Sequence, residues 1–164
     1  MARRPSTNSP GRPAPSLKAR ALRWLAQREH SRSELRRKLL RHVEAADEGA
    51  DAAVDTLLDA LEREGYLSDA RFVESRIRAR AARLGTARIA AELAQHRIEL
   101  PADSARELAA NEWQRAHALW QRRFGIAAED AAERARQARF LIGRGFATDV
   151  VRRVVRGLDP EGAT

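Results

Sequence analysis

The sequence predicts an all-α protein made of repeated small units that stack into an elongated, curved array. Three observations predict it. Leu and Ala dominate the apolar residues, while Gly and Pro gather at ends and junctions, a distribution that favours helix over sheet. Apolar side chains recur at helical spacing between recognisable helix starts and stops. The five-then-four spacing of His30, Leu35 and Leu39 returns in Leu84, Ile89 and Leu93 and again in Phe146, Val151 and Val155, each time across a small-residue turn at Ser31, Gly85 or Ala147. In such an array each unit touches mainly its neighbours, which leaves a long concave surface.

Residues 1–16 read as a disordered basic tail rich in Pro and Ser. The first unit spans residues 17–67. Leu17, Ala21, Leu22, Trp24 and Leu25 mark a helix ending near Arg28, and Ser31 with Glu34 forms a capping box for a second helix carrying Leu35, Leu39 and Leu40. An acidic loop over residues 44–49 follows, and Asp51 is placed to cap a third helix bearing Val54, Leu57, Leu58 and Leu61. Gly65 stops that helix in the left-handed C′ conformation. Tyr66 and Leu67 then fold back onto the core, with the Tyr66 ring wedged between units and its hydroxyl hydrogen-bonded.

The second unit spans residues 68–112. Ser68 caps it, Asp69 favours the helix start, and Phe72, Val73 and Ile77 form its stripe up to a stop at Gly85. Thr86 caps the next helix, which carries Ile89 and Leu93; Ile98, Leu100 and Pro101 end it before a helix over residues 102–111. The third unit spans residues 113–158, with Trp113, Ala116, Leu119, Trp120 and Phe124 on one stripe ended by Gly125. A long Ala/Arg helix then runs to about Arg144, where Gly143-Arg144-Gly145 reads as a helix-ending turn. Thr148 opens the last helix, and residues 159–164 form a C-terminal tail.

The chain has no cysteine, which excludes a disulfide framework, a zinc finger and a thiol nucleophile. No apolar run approaches membrane-spanning length and no export signal is readable, so the expected setting is the cytoplasm. His30, His42, His96 and His117 are too scattered for a metal site and read as surface or partly buried helix residues. Glu129 and Asp130 fit a helix start, and Trp24, Phe72, Trp120, Phe124, Phe140 and Phe146 fall on apolar stripes as core. Nothing here points to an enzyme, a metal or a cofactor.

Net charge is +8, and it is unevenly spread: +5 over residues 1–20, −3 over 21–70, +4 over 71–100 and +2 over the remainder. Such a polarised field can steer a polyanion. Arg36, Arg37, Lys38 and Arg41 share one helix, Arg76, Arg80 and Arg83 recur at helical spacing, and Arg152, Arg153 and Arg156 repeat the arrangement. With Arg88, Arg122, Arg123 and Arg144 they make the expected partner-binding strip, provided the units stack with similar orientation.

Four segments, taken in order, resemble the signatures of a known family. They are Ser31-Arg32-Ser33-Glu34-Leu35-Arg36-Arg37-Lys38-Leu39, then Leu61-Glu62-Arg63-Glu64-Gly65-Tyr66-Leu67-Ser68-Asp69-Ala70-Arg71-Phe72, then Gly85-Thr86-Ala87-Arg88-Ile89-Ala90-Ala91-Glu92-Leu93, and Ala138-Arg139-Phe140-Leu141-Ile142-Gly143-Arg144-Gly145-Phe146. The chain is similar here, from about Leu17 to Gly157, to the RecX family of bacterial recombinase regulators. It departs where a helix-ending Gly is expected before Ile98 and Arg97 stands instead.

The resemblance implies three tandem three-helix units, a monomer that lies in the groove of the RecA recombinase filament. There it would restrain recombinase, ATPase and coprotease activities in DNA repair and the SOS response, touching DNA weakly or within the filament. On this reading Leu35, Leu39, Gly65, Tyr66, Phe72, Ile89, Leu93 and Phe146 build the units and no residue is catalytic. The alternative is a helix-turn-helix DNA-binding transcriptional regulator, which the positive charge would suit but which the lack of base-reading Asn and Gln on the second helices opposes.

Overall fold

The computed structural model describes residues 15–43 and 49–158, and among these it is helical throughout, with no strand. The helices are α1 (Leu17–Leu25), α2 (Arg32–Leu40), α3 (Ala50–Arg63), α4 (Asp69–Arg80), α5 (Thr86–Ala94), α6 (Ala102–Ala110), α7 (Glu112–Arg123), α8 (Ala131–Ile142) and α9 (Thr148–Val155). The basic tail up to residue 14, most of the acidic loop (residues 44–48) and the C-terminal tail (159–164) lie outside the described residues.

The buried apolar side chains fall into three separate clusters, as expected of tandem three-helix units. Ala21, Leu35, Leu39, Val54, Leu58, Leu61 and Leu67 make the first. Phe72, Val73, Ile89, Leu93 and Leu108 make the second, and the third is built on Trp120, Leu141, Phe146, Val151, Val154 and Val155. Each helix is too short to persist alone and gains its stability by burying one apolar face against its two companions.

Local signals act largely as read. Ser31, Ser68 and Asp130 accept the amides of Glu34, Arg71 and Glu133. After α3, Gly65 has φ +77° and the Tyr66 amide reaches back to the Leu61 carbonyl at 2.9 Å, the paired closure of a Schellman turn. The same closure follows α5, where the Ile98 amide meets the Leu93 carbonyl at 3.2 Å. Here Arg97 holds the left-handed position at φ +60°, so the missing glycine leaves the turn geometry unchanged and its backbone strained.

Five expectations are corrected. Asp51 is not the cap of α3: Gly49 precedes the helix, and Asp51 sits in its first turn paired with Arg36. Thr86 is the first residue of α5 rather than its cap, and its amide donates to Glu112 of α7 at 2.7 Å. The capping box is half formed, since Glu34 turns its carboxylate to Arg28 instead of closing on Ser31. Tyr66 is 51% exposed and wedges nothing; Leu67, at 2%, is the residue that folds back. His30, expected as a surface or partly buried helix residue, is fully buried at 1% exposure and lies between α1 and α2.

Two junctions join the three clusters, and they share one design. The Arg32 amide at the start of α2 donates to Asp69 at the start of α4 (2.8 Å), just as Thr86 of α5 donates to Glu112 of α7. The ends of α5 and α8 complete the pattern: Ser33 donates to the His96 carbonyl (2.7 Å), and the Gly85 amide donates to the Arg144 carbonyl (2.9 Å). These contacts equate α8, not α9, with α2 and α5, so the spacing match at Phe146, Val151 and Val155 marks a similar turn one helix out of register.

The second junction adds an arginine. Arg115 is mostly covered there, its side chain 12% exposed, with all five guanidinium donors used, on Asn111 Oδ1 and Thr86 Oγ1 and on the carbonyls of Ala81, Leu84 and Leu108. Beside it two backbones cross so closely that a Cβ on Gly85 would lie 2.1 Å from the Gly145 carbonyl oxygen.

Gly85→Ala therefore should lower stability by about 2–3 kcal/mol through forced separation of the second and third clusters, read as a lower urea midpoint. Arg97→Gly acts in the opposite sense. Relief of the left-handed strain is expected to raise stability by about 0.5–1 kcal/mol in the same assay.

Candidate polyanion-binding surface

Cationic side chains gather at the first junction, on either side of His96. A cleft of about 440 Å³ lies between α2 and the end of α5, lined by Arg32, Arg36, Arg37 and Arg97 together with Ser33 and Asp69. A second, of about 260 Å³, lies between α4 and α5 and is lined by Arg76, Arg80, Arg88 and Glu92. Gln95 and His96 line both, so the clefts adjoin and the cationic surface runs unbroken from α2 across the junction to α4.

Within that surface the arginines divide by partner. Arg32 bonds Glu62 (2.6 Å) and Asp59 (2.7 Å), while Arg36 is held by Asp55 (2.9 Å) and Asp51, which raise its pKa above the ordinary guanidinium value. Arg80 lies 3.4 Å from Glu92. Arg37, Arg76, Arg88 and Arg97 have no carboxylate partner among the described residues; Arg76 rests on the Phe72 ring at 5.1 Å. These four are left to bind something else.

His96 sits at the centre of this field. Its Nδ1 lies 2.9 Å from the Ser31 hydroxyl, which accepts the Glu34 amide and lies 3.2 Å from the Ser33 hydroxyl. Burial lowers the His96 pKa below 6.5, and Arg76, Arg37 and Arg28 push it further in the same direction. His30 is lowered too, chiefly by burial; its Nδ1 faces the Arg28 carbonyl and its Nε2 lies 3.0 Å from Lys38. Burial pushes Glu34 up, but the Arg28 guanidinium outweighs it and holds the carboxylate below its ordinary range.

The remaining members of the expected strip lie elsewhere. Arg41 and Arg83 are exposed, and Arg122 latches onto the Ala82 carbonyl at 3.0 Å, beside Arg83 at the second junction. Arg123 lies 5.9 Å from the Phe124 ring, and Arg144 stacks on Phe140 at 3.7 Å while bonding its carbonyl, so both pack against their own unit. Arg152 and Arg156 line a separate groove with Arg134, and Arg153 is half-buried on the same helix. Arg32, Arg97 and His96 are members that sequence reasoning missed. A signal existed for Arg97, in its left-handed position; none existed for the others, whose neighbours are distant in sequence.

Family comparisons agree with this architecture. Residues 18–59 match the first three-helix domain of RecX, residues 68–99 the second and residues 110–155 the third. The chain is 50% identical over 146 residues to the regulatory protein RecX of Ralstonia nicotianae, covering 88% of this chain and 89% of that one. It is 49% identical over 154 residues to that of Leptothrix cholodnii (92% and 94% covered) and 42% identical over 148 residues to that of Pseudomonas putida (88% and 92% covered).

The depressed imidazoles fix a sign for acid sensitivity. Below 6.5 the unfolded chain binds protons that folded His30 and His96 resist, so their contribution is complete above that value and is lost as pH falls toward their folded pKa. Glu34 acts in the same sense only at lower pH. His96→Gln, which keeps an acceptor for Ser31 without titrating, is expected to show a smaller drop in urea midpoint than wild type between about pH 7.5 and pH 5.5. Equal drops would mean that His96 titration is uncoupled from folding.

Proposed function

The chain belongs to the RecX family, and from that premise we propose that it binds the RecA recombinase filament and restrains its strand-exchange, ATPase and coprotease activities, as a regulator of DNA repair and the SOS response. Its action is steric and electrostatic rather than catalytic. The observation that carries this reading is the continuous surface around His96, on which Arg37, Arg76, Arg88 and Arg97 present charge with no internal carboxylate to meet it.

Units at residues 17–67, 68–112 and 113–158 form an elongated, curved array acting as a monomer in the cytoplasm. It follows a filament groove and touches several recombinase protomers, together with DNA phosphates inside the filament. Many modest contacts then sum through valency, which needs no single tight pocket. Among the described residues no helix is long and apolar enough to cross a membrane.

Co-sedimentation with RecA filaments assembled on single-stranded DNA with a non-hydrolysable nucleotide, beside the DNA alone, tests the proposal. The chain should pellet with filaments, and less so as salt rises from about 50 to 200 mM. A triple variant Arg37→Glu, Arg76→Glu and Arg88→Glu should bind at least about tenfold more weakly at unchanged helicity. Wild-type-like binding by that variant would remove the junction surface from the interface.

A further inference from the structure

In the third unit α8 and α9 leave an open groove of about 310 Å³ whose character differs from that of the junction clefts. Its floor is apolar. Ala138, Ile142, Val151 and Val155 line it; the two valines are buried, whereas Ile142 remains 47% exposed. Its rim is cationic, formed by the exposed Arg134, Arg152 and Arg156, none of which has a carboxylate partner among the described residues. Two acids of this region are engaged elsewhere, Glu133 on Arg136 and Asp130 on the Glu133 amide.

We infer that this groove docks an acidic protein segment of a recombinase protomer, one that places an apolar side chain over Ile142 between carboxylates that meet the arginine rim. The inference rests on the filament-binding reading above and adds to it a protein-directed contact distinct from the surface around His96. Charge complementarity selects the occupant. Three guanidinium groups with no internal partner call for anions, and planar forks suit carboxylates bidentately. The apolar floor selects protein over nucleic acid, because a phosphodiester backbone has nothing to bury against Ile142 and Val155, whereas a Leu or Phe flanked by Asp or Glu covers the floor and pairs the rim together.

Two variants probe the two parts separately. Ile142→Asp puts a like charge among the incoming carboxylates at a position that is 47% exposed. The triple change Arg134→Glu, Arg152→Glu and Arg156→Glu reverses the rim. Wild type and both variants are compared for binding to RecA filaments on single-stranded DNA with a non-hydrolysable nucleotide and to the same DNA without recombinase, with helicity as the folding control.

The expected result is a loss of about tenfold or more in filament binding for each variant, with binding of bare DNA by Ile142→Asp unchanged. Filament binding by Ile142→Asp equal to that of wild type overturns the groove and leaves the wider function standing. A rim variant that loses bare-DNA and filament binding in parallel while Ile142→Asp is silent makes this a nucleic-acid surface and also overturns it. Absence of filament binding by wild type is a different failure, since it removes the filament reading on which the groove depends.

Discussion

One carboxylate at each junction sets how neighbouring units meet. Helix α2 begins with an amide that its own turn cannot use, and Asp69 of the next unit accepts it; α5 does the same with Glu112. Every helix start leaves such donors unpaired, and burying one without a partner costs on the order of 1–3 kcal/mol. Delivering the acceptor from the following unit turns that obligation into a positional lock: the units can slide or rotate only by exposing a helix end. Because Asp69 and Glu112 are the first residues of α4 and α7, one lock repeats with one geometry, and the order of helices in sequence becomes an order in space.

The locks are alike but their surroundings are not. At the second junction Arg115 satisfies three carbonyls and two side-chain oxygens, and the backbones at Gly85 and Gly145 meet without room for a methyl group. A mostly covered guanidinium with every donor used has no favourable alternative position, and burial lowers its pKa without freeing it. The first junction is held instead by Ser31, Ser33 and His96, with Arg71 reaching Glu29 and the Gly65 and Tyr66 carbonyls from outside. The first junction is also the one that carries the cationic surface, so whatever anion binds there acts on the joint itself.

What the sequence made legible was local. Ser31, Ser68, Asp130 and Gly65 act within one turn of themselves, and Leu35, Leu39, Phe72, Ile89, Leu93 and Phe146 follow helical periodicity into the three cores. What failed was the partner. Thr86 and Asp51 had the right chemistry for caps, but Glu112 serves one helix start from α7, and Arg36 draws the other side chain away. Arg115 was invisible for the same reason: its acceptors are mainly carbonyls up to 34 residues away, and carbonyls leave no mark on a sequence. Tyr66 and Leu67 were read as a pair, yet they alternate across a turn, so burying one exposes the other.

The candidate surface follows from how charge is divided, which no segment total reveals. Residues 21–70 carry a net −3, and that excess resides largely in acids of α3 that face α2. Asp51, Asp55, Asp59 and Glu62 engage Arg36 and Arg32, so two members of the most cationic helix contribute little field outward. Arg37, one residue on, points away from α3 and keeps its charge for solvent or a partner. A helix turns 100° per residue, so neighbouring arginines face different environments, and a run of positive residues divides into a structural half and a binding half. The second unit has few acids to do the same, which is why Arg76 and Arg88 join Arg37 across the junction while Arg80 alone is met by Glu92. Position relative to the nearest acid, rather than density of arginine, decides where a polyanion finds this protein attractive.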